Sequence, residues 1–228
     1  MKLPTTQASN LSHLERQQEE RKKLQEKLAT GLKINQAADA PAGSQIANRL
    51  TSSINAADNR TSNARDQQSI INTQAGQYAS ITDNLLRARE LTIQAGNPVN
   101  DKQAIQAELD QLTEEINVIA EQVLGQSNFI PSLDASNPSA AQSDIETAST
   151  TIDANASAGG VQSRGLDSQI NLYQISSTNN QAARSRIQDT DYAQSASDLL
   201  RTELQLKIAV ILKRDEEERK GLLLNKFI

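Results

Sequence analysis

The chain has 228 residues, a formal net charge of −5, no Cys and no Trp, and 36% hydrophobic residues of which few are aromatic. The missing cysteine removes disulfides, thiol nucleophiles and Cys-ligated zinc, and the acidic balance offers no basic field to a nucleic acid. An apolar content made mostly of Ala, Leu and Ile suits close helix–helix packing, and 5 Pro with 9 Gly leave room for long uninterrupted helices.

The first segment, residues 1–40, opens with MKLPTTQASN, which lacks an apolar h-region, so no cleaved secretory signal is expected. No window along the chain reaches transmembrane length, and no membrane insertion is expected. Leu11, Leu14, Leu24 and Leu28 form a thin stripe on a highly charged helix, LERQQEERKKLQEK, with Glu19–Lys23 and Lys22–Glu26 at i,i+4. Gly31 ends it. Asp39 is expected to cap the next helix, with Pro41 in its first turn, where the missing donor costs nothing.

Residues 41–128 hold two helical patterns. Ile46, Leu50, Ile54, Ala57, Ala64, Ile71, Ala75, Tyr78, Leu85 and Ala88 fall on three- and four-residue steps, with Thr61 and Gln68 at the weak places. This run, from Pro41 to Ala95, spans roughly 80 Å as a helix and stops at Gly96-Asn97-Pro98. Ile105, Leu109, Leu112, Ile116, Ile119 and Val123 then alternate steps of four and three, a coiled-coil seam. Periodicity fades over 129–143, a connection rich in Ser, Asn and Pro. It resumes over 144–192 with Ile145, Ile152, Leu166, Ile170 and Tyr173, and pauses at Asp189-Thr190-Asp191, where an acidic or Thr cap can start a new helix. The last segment, 193–228, carries Leu199, Leu200, Leu204, Ile208, Ile211 and Leu212, then KRDEEERKG, with Asp215–Arg219 and Glu216–Lys220 at i,i+4.

No strand alternation of useful length occurs. The fold class expected is all-α: an elongated antiparallel helical bundle or coiled-coil rod with paired N- and C-terminal helices, since each stripe alone is too thin to stand. Sites for enzyme chemistry are weak. His13 is the only histidine and lies in a charged helix, so no triad or His-based metal site can be assembled. Asp189-x-Asp191 lacks the Gly and distal Glu of a calcium loop, Gly159-Gly160 lacks the flanks of a phosphate loop, and Arg184/Arg186 lack interleaved aromatics. No cofactor or metal and no enzymatic activity are expected.

The stretch LATGLKINQAADAPAGSQIANRL (Leu28 to Leu50) resembles bacterial flagellin, whose pattern is matched by Gly31, Ile34, Asn35, Ala38, Asp39, Ala42, Gly43, Ile46, Ala47, Asn48 and Arg49. NLLRARELTIQAGN (Asn84 to Asn97) resembles a second block, AIQAELDQLTEEINVIAEQ is similar to the helix after it, and AARSRIQDTDYA (Ala182 to Ala193) to a fourth near the other end. The resemblance implies a structural, self-assembling filament subunit. It would be exported without a cleaved signal by the flagellar secretion apparatus with an export chaperone, and would reside outside the cell in the flagellum. Its homopolymer contacts would come from paired terminal helices, here carrying Leu11, Leu14, Leu24, Leu28, Leu199, Leu204, Ile208, Ile211 and Leu212. Gly31, Asp39, Pro41 and Gly43 would make the joint between core helix and rod. The connection 129–143 stands where larger flagellins insert outer domains, and the hairpin that follows in the family is not legible after Gln126 and Phe129.

The resemblance also implies a receptor surface for Toll-like receptor 5 at Leu85, Arg87, Arg89, Glu90, Leu91, Gln94 and Glu108. The match there is residue by residue except at Leu86, where the family often has a polar residue. Arg87, Glu90 and Gln94 share one helix stripe, a solvated face that also suits subunit contacts. The charged ends depart from the family's usual polar, charge-poor tails. They are expected to pair within one chain, which gives the alternative reading: a soluble monomeric flagellin-rod module with redesigned tails that does not polymerise. A hook–filament junction protein is the more distant reading.

Overall fold

The computed structural model describes the backbone of residues 5–225 and the side chains of residues 13–215 with Glu218 and Arg219. Five α-helices follow in order: α1 (Thr5–Thr30), α2 (Pro41–Ala95), α3 (Lys102–Leu124), α4 (Pro138–Gln188) and α5 (Tyr192–Asn225). Among the described residues the only extended pairing is an isolated antiparallel bridge between Leu32 and Asp189. The all-α reading stands. The 55 residues of α2 form one unbroken helix, as the apolar spacing predicted.

The chain divides into two compact units, residues 57–175 and residues 1–56 with 176–228. In the first, polar contacts between α2 and α3 fall in descending register: Gln77–Gln122 (3.3 Å), Asn84–Glu115 (3.5 Å) and Arg87–Glu108 (2.7 Å). The two helices are therefore antiparallel. Gln68–Asp167 (2.6 Å) and Arg60 over the Tyr173 ring (5.9 Å) set α4 antiparallel to α2 in the same way. Where the three helices run together, Ile81, Leu85, Leu109, Ile116, Ile145 and Ile152 are buried side by side, and a smaller cluster of Ala64, Ile71, Leu166 and Ile170 joins α2 to α4 alone.

Along α2 the buried positions Ile54, Ala57, Thr61, Ala64 and Ile71 keep steps that sum to sevens, while Ile46 and Ala75, expected on the same stripe, are exposed. Small residues on the seam let helix backbones approach closely. On α3, Ile105, Leu109 and Ile116 are buried as the seam predicted. Leu112, Ile119 and Val123 are only half-buried, and Thr113 and Ala120 take the inside places. The seam is wider than a two-stranded coil because α3 meets α4 and the connection as well as α2.

The connection differs from the expected 129–143. Helix α4 begins at Pro138, with Asn137 accepting from the Ala140 and Ala141 amides. The proline occupies a first helical turn, as Pro41 does, so the irregular stretch is shorter than composition suggested. Within it Ile130, Leu133 and Ala135 are buried. Asn117 donates to the Ile130 carbonyl (3.0 Å) and accepts its amide (2.9 Å), while Gln106 donates to the Leu133 carbonyl (2.7 Å) and accepts the Ala135 amide (2.8 Å). Two side-chain amides on α3 thus satisfy a loop backbone that a partner strand would otherwise satisfy. Gly125 ends α3 in the left-handed region (φ 70), and Asp101 caps its start by accepting from Gln103 and Ala104.

Candidate assembly and recognition surfaces

In the unit of residues 1–56 and 176–228, two short chain segments meet. Gly31 leaves α1 with φ 72, a left-handed conformation that places its amide on the Lys27 carbonyl (2.9 Å). The next residues cross the α4–α5 link: Lys33 N–H donates to the Gln188 carbonyl (2.7 Å), and Thr190 N–H to the Gly31 carbonyl (2.9 Å). Lys33 Nζ adds a bond to the Arg186 carbonyl (2.9 Å). Both joints are therefore tied together by backbone, and no side-chain pattern advertised this in the sequence.

Asp39 does not cap α2, contrary to the expectation. Its carboxylate accepts the Asn35 and Gln36 amides (3.0 Å each) and closes the turn before the helix, while Ala40 takes the cap position and accepts Ser44. With Pro41 at the first helical place there is one donor fewer to cap, and the turn has two amides facing the carboxylate. The Gln36 and then the Asn35 amide hold the Asp39 carboxyl below its ordinary value; Lys27 and Lys23 add to this, against partial desolvation. Gly43 lies under Ile34, whose Cδ1 is 2.8 Å from where a Cβ would stand. On the other joint, Asp191 caps α5 by accepting from Gln194 (3.0 Å), as the acidic cap predicted.

Beyond the joints α1 and α5 pack antiparallel, with Gln17 donating to Gln205 at 3.5 Å. The α1 side is formed by half-buried Leu14, Gln17, Arg21, Leu24 and Leu28, and the α5 side by Ser195, Leu199, Thr202 and Leu206. Intramolecular pairing of the ends is observed. The stripe that faces α1 is another matter: of the α5 residues picked from the sequence, only Leu199 lies against it. Leu204, Ile208, Ile211 and Leu212 are 57–62% exposed on the opposite face. Two stripes share this helix, and sequence reasoning chose the more apolar one; the inner one is built of Ser, Thr and one buried leucine. Leu11 and the expected Glu216–Lys220 pair lie outside the residues whose side chains are described. Glu19–Lys23 (3.6 Å) and Asp215–Arg219 (3.3 Å) form as expected, and Arg214–Glu218 (3.5 Å) joins them.

The expected receptor residues divide by burial. Leu85 and Leu91 are 1% and 2% exposed and belong to the core, so neither is available as a surface anchor. Arg87, Arg89, Glu90 and Gln94 are exposed on α2, and Glu108 is half-buried on α3. Arg87 joins the two helices, its Nε on Glu108 (2.7 Å) and its Nη1 on Glu90 (2.9 Å). These carboxylates hold the guanidinium pKa above its ordinary value, Glu108 more than Glu90. Leu86 and Ile93, 58% and 63% exposed, lie on the same outer side of α2 and are the apolar groups this surface offers.

Comparison with known proteins gives a consistent result. Residues 4–130 match the family model of the bacterial flagellin N-terminal helical region. The chain is 46% identical over 100 residues to Flagellin 1 of Proteus mirabilis, covering 42% of this chain and 27% of that protein. It is 44% identical over 100 residues to the Phase 1 flagellin of Salmonella naestved and to a flagellin of Salmonella budapest, covering 42% of this chain and 20% of each. The matched stretch is thus at most about a quarter of the length of these relatives.

Proposed function

We propose that this chain, which belongs to the bacterial flagellin family, is a structural subunit of a flagellar filament that assembles through its paired terminal helices. The observation that carries the reading is the α1–α5 pair, tied at its base by the Leu32–Asp189 bridge and bearing an uncovered apolar stripe. A subunit that adds to a polymer needs a defined pair of ends with unsatisfied apolar surface on them. On this reading the partners are further copies of the chain, an export chaperone and the flagellar secretion apparatus, and the destination is the extracellular filament. Seeded growth tests it: purified chain added to preformed filament fragments should lengthen them in negative-stain images and sediment with them. A chain that stays soluble beside competent seeds would favour the second reading, a non-polymerising rod module. That reading is supported by the ion-paired, already helical ends.

The second activity we infer for the rod surface is recognition by Toll-like receptor 5 through Arg87, Arg89, Glu90, Gln94 and Glu108. The ion-paired Arg87 is held in one orientation across two helices, which lowers the ordering cost of a contact. Arg87→Ala should reduce potency in a receptor-reporter assay by at least about 10-fold. Its exposed ion pairs contribute little to folding, so the melting temperature should move by less than about 2 °C. Unchanged potency would remove the receptor reading and leave the filament reading untouched.

A further inference from the structure

The outer face of α5 carries Leu200, Leu204, Ile208, Ile211 and Leu212, each more than half exposed, while Ser195, Thr202 and Leu206 on the reverse face are buried toward α1. Steps of four, four and three keep the first four side chains on one line of the helix. A line of large aliphatic groups about three turns long is more apolar than the seam that α5 shares with α1. Charges are unevenly placed along it. Arg201 stands at its N-terminal end, Lys207 flanks its middle, and Asp215 closes its C-terminal end.

We propose that the unassembled chain forms a closed dimer in which the outer stripes of two α5 helices pack antiparallel, centred near Ile208. The charge order decides the direction. A parallel, in-register pair would set Arg201 against Arg201 and Asp215 against Asp215, like against like at both ends of the contact, whereas Lys207, next to the centre, meets its own copy in either direction. Reversing one helix brings Arg201 of one copy to Asp215 of the other, twice by symmetry, with Leu204 and Ile211 covering each other's ends of the apolar line. Among the described residues Arg201 and Asp215 pair with neighbours on their own helix, Asp198 (3.8 Å) and Arg219 (3.3 Å), contacts weak enough to exchange. α1 stays on the opposite side of α5 and needs no movement. Three turns of paired helix fall in the small class of interfaces, below about 1,200 Å2, where weak, readily reversible association is found. This inference does not rest on the filament reading, because it concerns the chain without seeds.

Sedimentation equilibrium on the full chain, without seeds, tests it together with charge exchange. Arg201→Asp or Asp215→Arg alone should raise the dimer dissociation constant by at least about 10-fold, and the two together should return it to within about 3-fold. Direction is read separately, since the chain has no cysteine of its own. Ile208→Cys should form a disulfide-linked dimer under mild oxidation. Leu200→Cys should not, its two copies lying about 24 Å apart along antiparallel helices at about 1.5 Å per residue. A chain monomeric at several hundred micromolar overturns the proposal, as do open-ended polymers in place of a dimer. Cross-linking at both positions, or charge exchange without effect, overturns the antiparallel arrangement. Failure of seeded growth would leave all of these readouts unchanged.

Discussion

At the scale of single residues, the joint depends on two that were legible and on roles that were not. Gly31 was read as a helix stop, and its φ of 72 with open space around it gives the reason: the backbone, not crowding, demands glycine there. Gly31→Ala should destabilise the chain by about 1 kcal/mol in denaturant unfolding, and Gly31→Asn by less, since asparagine tolerates the left-handed region. Asp39, expected to cap α2, instead closes the turn before it. Its folded pKa lies below the ordinary 3.8, so the stabilisation it supplies is present above that value and lost as pH falls through the lower folded one. Asp39→Ala should therefore melt below the parent chain at neutral pH, and the gap should close on acidification below 3.8. A gap that is constant with pH would mean the carboxylate's charge has no part in the turn.

Among elements, the connection after α3 is the informative one. Sequence reasoning saw lost periodicity over 129–143 and missed that Asn117 and Gln106, both on α3, each clasp that backbone twice. A polar residue flanking a seam looks like any solvated position until the loop is seen to cross it. Asn117→Ala should leave the Ile130 amide and carbonyl without their partner and cost about 1–3 kcal/mol. Limited proteolysis is the direct check, with cleavage between residues 125 and 137 accelerated while α2 stays intact. For comparison, Leu109→Ala removes a fully buried side chain and should cost about 2–5 kcal/mol, with no such local preference in cleavage.

Across the whole molecule, the two units are built from unlike materials. Residues 57–175 bury Ile and Leu from three helices and a loop, whereas the α1–α5 seam includes Gln17, Arg21, Ser195 and Thr202. Gln17 Oε1 and Arg21 Nε are buried there without a protein partner, which weakens the seam further. Hydrogen exchange should show α3 amides protected at least about 10-fold more than those of α1 between residues 14 and 28. Equal protection would mean that the terminal pair and the three-helix unit open as one.

What the sequence determined by itself is the helical class, the long α2, an acidic or Thr cap within Asp189-Thr190-Asp191, the stop at Gly31, and the family. Each of these is set by local chemistry: spacing of apolar side chains, the φ range of glycine, the missing donor of proline, and motifs that are contiguous in the chain. Only the tertiary structure decided which stripe of α5 faces α1, that Leu85 and Leu91 are core while Arg87 and Glu90 are surface, and that Asp39 closes a turn. It also decided that the two joints are tied backbone to backbone. Two candidate stripes on one helix differ locally only in composition. The inner place goes to the one that fits its neighbour and continues from the tied joint, and that neighbour is more than 150 residues away in the chain.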